Sequence, residues 1–157
     1  MSDFNYHVQW FKSPGYLLAE VPSPVVEELK QSINTLSKTP ETDARDTLRG
    51  HLEEEWHLPL TKEVCAFTRC LGFEYIKQFG IQPAMGIAER MRDIDHSDFK
   101  LQRLWVNFQS KYDFNPLHIH SGLFSFVIWV QVPYDLQKER ERYKTNGDET
   151  AAFMFQY

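Results

Sequence analysis

The apolar residues of this chain change period once, and that change limits what it can fold into. Before residue 80 they recur at helical spacing. Val25, Val26, Leu29, Ile33 and Leu36 form one stripe, and Val64, Phe67, Leu71, Tyr75 and Phe79 form a second. From Leu101 the spacing is two: Leu104, Val106 and Phe108 alternate with Trp105, Asn107 and Gln109, as the two faces of a strand require. Helices followed by antiparallel strands predict an α+β fold with helices packed on one side of a sheet.

Local signals place the boundaries. Ser23 is read as an N-cap and Pro24 as the first helical residue, where its missing N–H costs nothing, and this helix runs to Leu36. Thr61 is the matching cap for a helix to Phe79, weakened by about 1 kcal/mol at Gly72 and stopped by Gly80. Tyr16 to Val21 reads as a short strand. His51 to Trp56 fits a helical turn or a docked loop closed by Pro59, and Ala84 to Met91 fits strand or helix. Lys111 to Pro116 is a turn, and Pro116 biases its predecessor towards extended backbone. A second strand is expected over 117–132, broken at Ser121-Gly122 and ended by Pro133. Asn146-Gly147 marks another turn, and a new apolar alternation starts at Ala151.

Composition narrows the class. With 157 residues, 42% of them apolar and 25% charged, one domain with a proper core is expected rather than a disordered chain. Aromatics reach 15%, which favours a β-rich core over a ring-lined pocket alone. The formal net charge of −5 speaks against general nucleic-acid binding. Lys138 to Lys144 alternates with Glu139 and Glu141 and reads as a solvated mixed-charge face. Cys65 and Cys70 have neither redox-motif nor zinc-knuckle spacing and are expected to be reduced core residues. No apolar run approaches the roughly 20 residues of a membrane span, and Pro14-Gly15 interrupts the N-terminal region where a signal peptide would need apolar continuity. The expectation is a cytoplasmic protein that does not enter a membrane.

Chemistry concentrates in His118-Ile119-His120. On an extended backbone, side chains two apart point the same way, and imidazole is the commonest ligand for first-row metals. A hydrophobic wall, Phe124 to Val130, follows the pair. His118 and His120 are therefore the candidate metal ligands. Two ligands do not complete a catalytic site, which ordinarily presents three protein groups. The other histidines, His7, His51, His57 and His96, all precede the pair and read as surface or capping residues.

The pattern Trp105-x-Asn107-x-Gln109, Asn115-Pro116-x-His118-x-His120-Ser121-Gly122, Phe124-Ser125-Phe126-Val127-Ile128-Trp129 and Pro133-Tyr134 resembles the iron(II)- and 2-oxoglutarate-dependent oxygenase superfamily. The nearest resemblance is to its small prolyl-hydroxylase-like phage and bacterial members, and it is strongest over 101–135. It implies a double-stranded β-helix (jelly-roll) core with N-terminal supporting helices. On this scheme 1–100 is a helical support region, 101–157 is the first part of the jelly roll, and the whole is a single domain. The resemblance further implies Fe(II) and the cosubstrate 2-oxoglutarate. His118 matches the first iron ligand, while His120 stands where that family has Asp or Glu. Asn107 and Gln109 on the facing strand, with Ser125 and Trp129 on a shared strand face, would line the cosubstrate cavity.

The family's distal His and 2-oxoglutarate-binding Arg have no counterpart after His120 other than Arg140 and Arg142 in the mixed-charge segment. The resemblance thus implies a jelly roll whose closing strands would lie beyond Tyr157. The apolar strand at Phe153 to Tyr157 would then be an unpaired edge available for self-association. Two other functions fit the same residues. A non-catalytic jelly-roll binding or assembly module would use the histidines structurally. A cupin-type metal enzyme also carries His-x-His, but with a following Glu and a later His that are not found here.

Overall fold

The computed structural model describes residues 15–46, 50–79, 99–120 and 122–143. The chain divides into two compact units, 17–132 and a second made of 1–16 with 133–157. The larger unit holds α1 (Ser23–Asn34), β1 (Glu54–His57), α2 (Lys62–Phe79) and β2 (Trp105–Phe108). The smaller contributes α3 (Leu136–Tyr143). Helix and strand are thus both present, as an α+β reading requires. The sheet has two strands, and no jelly roll is formed among the described residues. Ala84 to Met91, the Asn146-Gly147 turn and Phe153 to Tyr157 lie outside the described residues.

Both long helices form where their stripes predict. α1 starts one residue earlier than expected: Pro22, not Ser23, is the cap, and its carbonyl accepts the N–H groups of Val25 (3.0 Å) and Val26 (3.1 Å). The Ser23 side chain makes no capping hydrogen bond, because Pro22 already has the extended backbone a cap needs. The helix closes at Asn34, two residues before Leu36, where the Thr35 N–H and hydroxyl both return to the Gln31 carbonyl. Val25 and Leu29 bury the inner face.

α2 begins immediately after Thr61, and α1 supplies part of its cap. The Glu28 carboxylate accepts the backbone N–H groups of Glu63 (3.0 Å) and Val64 (3.2 Å), donors that the first helical turn cannot satisfy internally. The Thr61 hydroxyl and these two N–H groups hold the Glu28 carboxyl below its ordinary range, and negative charge is favoured at a helix N-terminus. Val25, Leu29, Leu58, Val64 and Leu104 form the core between helices and sheet, with Phe67, Val106, Ile128 and Val130 packed around it.

The strand at 54–57 replaces the turn or loop expected there, and it places a strand inside the region read as helical support. It pairs antiparallel with β2 in the register Glu54↔Phe108, Glu55↔Asn107, Trp56↔Val106 and His57↔Trp105. Its other edge is also occupied: Ala44 N–H donates to the Glu55 carbonyl (2.9 Å) and His57 N–H to the Thr42 carbonyl (2.8 Å). Alternation then sorts the side chains. Glu54, Trp56, Val106 and Phe108 share the core-side face, where Lys38 pairs with Glu54 and lies over the Phe108 ring, 4.9 Å from its centroid. Glu55, His57, Trp105 and Asn107 share the other.

The strands expected at Tyr16 to Val21 and over 117–132 are not formed. The second segment keeps a trace of strand alternation, with Ile128 and Val130 half-buried against the core and Trp129 exposed, but no ladder neighbour flanks it. Phe124 anchors it instead, its ring 5.0 Å from Tyr75 and 5.9 Å from Phe99. The cysteines form no disulfide; Cys65 is half-buried and Cys70 exposed, so Cys70 is not a core residue. Five residues of α-helix rotate a side chain by roughly 140°, which keeps both from facing the core. In the smaller unit the mixed-charge run is a helix, α3, capped by Asp135, whose carboxylate accepts the N–H groups of Gln137 and Lys138.

Two stability outcomes follow from the helices. Glu28→Ala will lower the melting temperature at neutral pH. The folded-state Glu28 carboxyl is depressed, so its contribution is present above the unfolded value and lost as pH falls through the folded one. Wild type and variant will therefore converge as the pH falls from the ordinary glutamate range through the lowered folded-state value, in melts followed by circular dichroism. Gly72 has room for a methyl group, the nearest atoms to a Cβ being Phe99 Cδ1 at 3.5 Å and Phe124 Cδ2 at 3.6 Å. Gly72→Ala will raise stability by about 0.5–1 kcal/mol in urea unfolding, through helix propensity and unfolded-chain entropy.

Candidate functional site

The two imidazoles face each other. His118 Nε2 and His120 Nε2 stand 2.9 Å apart, with the rings inclined at 67°. Both rings fall on one side of the chain, as a spacing of two allows, and Ile119 between them is 95% exposed. Ring orientation is set by His118 Nδ1, which lies 2.7 Å from the Pro116 carbonyl oxygen. A carbonyl only accepts, so Nδ1 carries the proton and His118 Nε2 presents a lone pair. His120 then donates from its own Nε2 to that lone pair.

This geometry is also that of a chelating pair. Imidazole binds a first-row divalent ion at about 2.0–2.1 Å. Two nitrogens 2.9 Å apart subtend about 90° at one shared ion, the angle between neighbouring octahedral ligands and narrower than a tetrahedral one. A backbone carbonyl bonded to the far ring nitrogen is the usual way a metal-binding histidine is held in its tautomer. The pair therefore fits a metal, as two ligands of a larger set. Among the described residues, no group of three or more His, Cys, Asp or Glu side chains is arranged to hold one.

Trp105 from β2 forms one wall, its ring 6.1 Å from His120 and inclined by 22°. Partial desolvation, and then the neighbouring His118, push the His120 imidazole below its ordinary value. Asn107 lies on the same strand face as Trp105, opposite Glu55, with its own side exposed. Gln109 follows beyond the end of β2 and is exposed. Ser125 and Trp129 do not share a strand face, since no strand forms there; both are exposed, and the described contacts of the imidazole pair are with Pro116 and Trp105. His57 lies in β1, and His51 stacks on Phe114 at 4.9 Å while pairing with its backbone. These two are parts of the sheet region rather than a capping segment. His7 and His96 lie outside the described residues.

The residue that sequence reasoning passed over is Glu55. It is 2% exposed, the only charged side chain buried among the described residues. It was hidden in Glu53-Glu54-Glu55, which reads as a solvated acidic run. No signal in the sequence marks it, because it lies on the sheet face away from the main core. Burial raises its carboxyl pKa above the ordinary value, with Arg45 and His118 pulling the other way and Asp43 adding to the rise. Its Oε2 is buried and has no hydrogen-bond partner, and its Oε1 and the Asn115 side chain both crowd Gly50, where a Cβ has no room.

Scans of this chain against protein-family models, curated proteins and solved structures found no match. Among the described residues, no helix is long and apolar enough to cross a membrane.

The imidazole geometry has a direct spectroscopic consequence. His120 will titrate with a midpoint below the free-histidine value of about 6.5 in an NMR pH series. His118→Ala will raise that midpoint, because it opens the partly desolvated ring to water and takes away the imidazole beside it.

Proposed function

We propose that this chain binds a divalent first-row metal through His118 and His120 and acts as an Fe(II)- and 2-oxoglutarate-dependent dioxygenase that hydroxylates a C–H bond. The observation that carries the reading is the 2.9 Å separation of the two Nε2 atoms, with His118 locked by the Pro116 carbonyl. The bite suits an octahedral ion with neighbouring positions left for cosubstrate and oxygen. The sequence resemblance over 101–135 supplies the reaction class. Bound there, the metal would supply oxygen activation coupled to 2-oxoglutarate decarboxylation.

The chain's own residues then have separable tasks. Pro116 orients His118 through its carbonyl. Trp105 covers one side of His120 and limits water there. The Asn107 and Gln109 amides, exposed at and just beyond the end of β2, are the candidate donors to a cosubstrate carboxylate, with Ser125 and Trp129 as candidates on the segment after the pair. His120 in place of a carboxylate leaves the ion with more net positive charge than a His-carboxylate pair would, which strengthens its pull on an anionic cosubstrate.

A second reading, a non-catalytic binding or assembly module, is favoured by the apolar surface after β2. Leu117 is 75% exposed, Ile119 95% and Trp129 58%, and such surfaces mark interaction sites. One experiment separates the two. On the oxygenase reading, anaerobic calorimetry will detect Fe(II) or Mn(II) binding that His118→Ala reduces by at least tenfold. Succinate will form from 2-oxoglutarate only with Fe(II) and oxygen. No metal binding by wild type, with His118→Ala unaltered in melting behaviour, would leave the module reading standing.

A further inference from the structure

Building on the metal reading of the imidazole pair, we infer that Glu55 is the acidic partner of that ion and holds a water bound to it. The argument starts from a cost. A carboxyl group buried without a hydrogen-bond partner is expensive, and far more so when ionised. Glu55 is 2% exposed and its Oε2 has no partner.

The guanidinium of Arg45 is occupied elsewhere. Arg45 directs Nε and one terminal nitrogen to Asp43, at 3.0 Å and 2.5 Å, and the other terminal nitrogen to the Glu53 carbonyl at 3.1 Å. Asp43 is drawn down to about 2 by that pairing, so the two charges largely cancel as seen from Glu55. Asn115, at the start of the imidazole segment, comes close to the carboxyl. Gly50 sits between Glu55 Oε1 and the Asn115 side chain, three residues before His118. The Glu55 face of the sheet also carries Trp105, whose ring stacks on His120.

A cation at the imidazoles supplies what Glu55 lacks. Among the described residues no three-ligand group forms around the imidazoles, so the role assigned to Glu55 is to accept from a water on the ion and not to ligate it. Water on a divalent ion is a strong donor, and a carboxylate accepting from it makes a charge-assisted hydrogen bond. Outer partners of this kind fix the ligand set and tune metal affinity. The site then draws on two distant parts of the chain: His118 and His120 from the segment after β2, and Glu55 from β1.

The test is a Mn(II) titration of the whole chain, followed by calorimetry and by Mn(II) electron paramagnetic resonance, with metal-free melts alongside. Wild type will bind Mn(II), His118→Ala will bind at least tenfold more weakly, and Glu55→Gln will bind about ten- to a hundredfold more weakly without a drop in metal-free melting temperature. Should Glu55→Gln fail to fold, Glu55→Met, which keeps the volume and removes the polar group, is expected to show the same affinity loss. Glu55 variants with wild-type Mn(II) affinity would overturn this inference and leave the imidazole pair intact. Wild type that takes up no Mn(II) would overturn the metal reading and this inference together.

Discussion

The register between β1 and β2 governs the rest of the larger unit. Glu54–His57 and Trp105–Phe108 are far apart in sequence, and closing the chain between them costs entropy that local contacts do not repay. Pairing in this register repays it by putting Val106 on the core side, against the helices, while Leu58 and Leu104 continue the contact just past the strand ends. A slip of one residue in either strand would turn every side chain to the opposite face. Trp105 would enter the core and Val106 would leave it. The same slip would turn Glu55 to the opposite face.

The site combines a local device with a distant one. His118 and His120 need nothing but extended backbone and a proline carbonyl to converge, and a short motif suffices for that. Glu55 takes its position only because the sheet forms. A buried carboxyl whose Oε2 has no hydrogen-bond partner, beside an Asp43–Arg45 couple that pairs with itself, is poorly compensated by the protein alone. Such groups are retained at a stability cost where binding or catalysis uses them.

Much of this was legible in the sequence, and the failures have physical causes. The stripes through Val25 and Leu29 and through Val64 and Phe67 announced both long helices, because periodicity averages over many residues and survives an ambiguous cap. Leu104, Val106 and Phe108 marked β2. The convergence of His118 and His120 was also readable, since it is set by nearest-neighbour geometry. β1 was not, because Glu53-Glu54-Glu55 disguises a four-residue strand whose stability comes from its neighbours on both edges. The strand expected over 117–132 erred in the opposite sense: Phe124 to Val130 has strong β propensity, yet propensity does not supply a neighbouring backbone. Tertiary contacts with Tyr75 and Phe99 hold that segment instead.

The Glu28 carboxylate links two helices that could otherwise open one at a time. Because the first amides of α2 are terminated by a side chain rooted in α1, unwinding α1 strips those donors of their acceptor, and fraying of α2 returns the Glu28 carboxylate to water. Hydrogen exchange at Glu63 and Val64 should therefore report the integrity of the other helix, and the pair should behave as one cooperative foldon rather than as two independent segments.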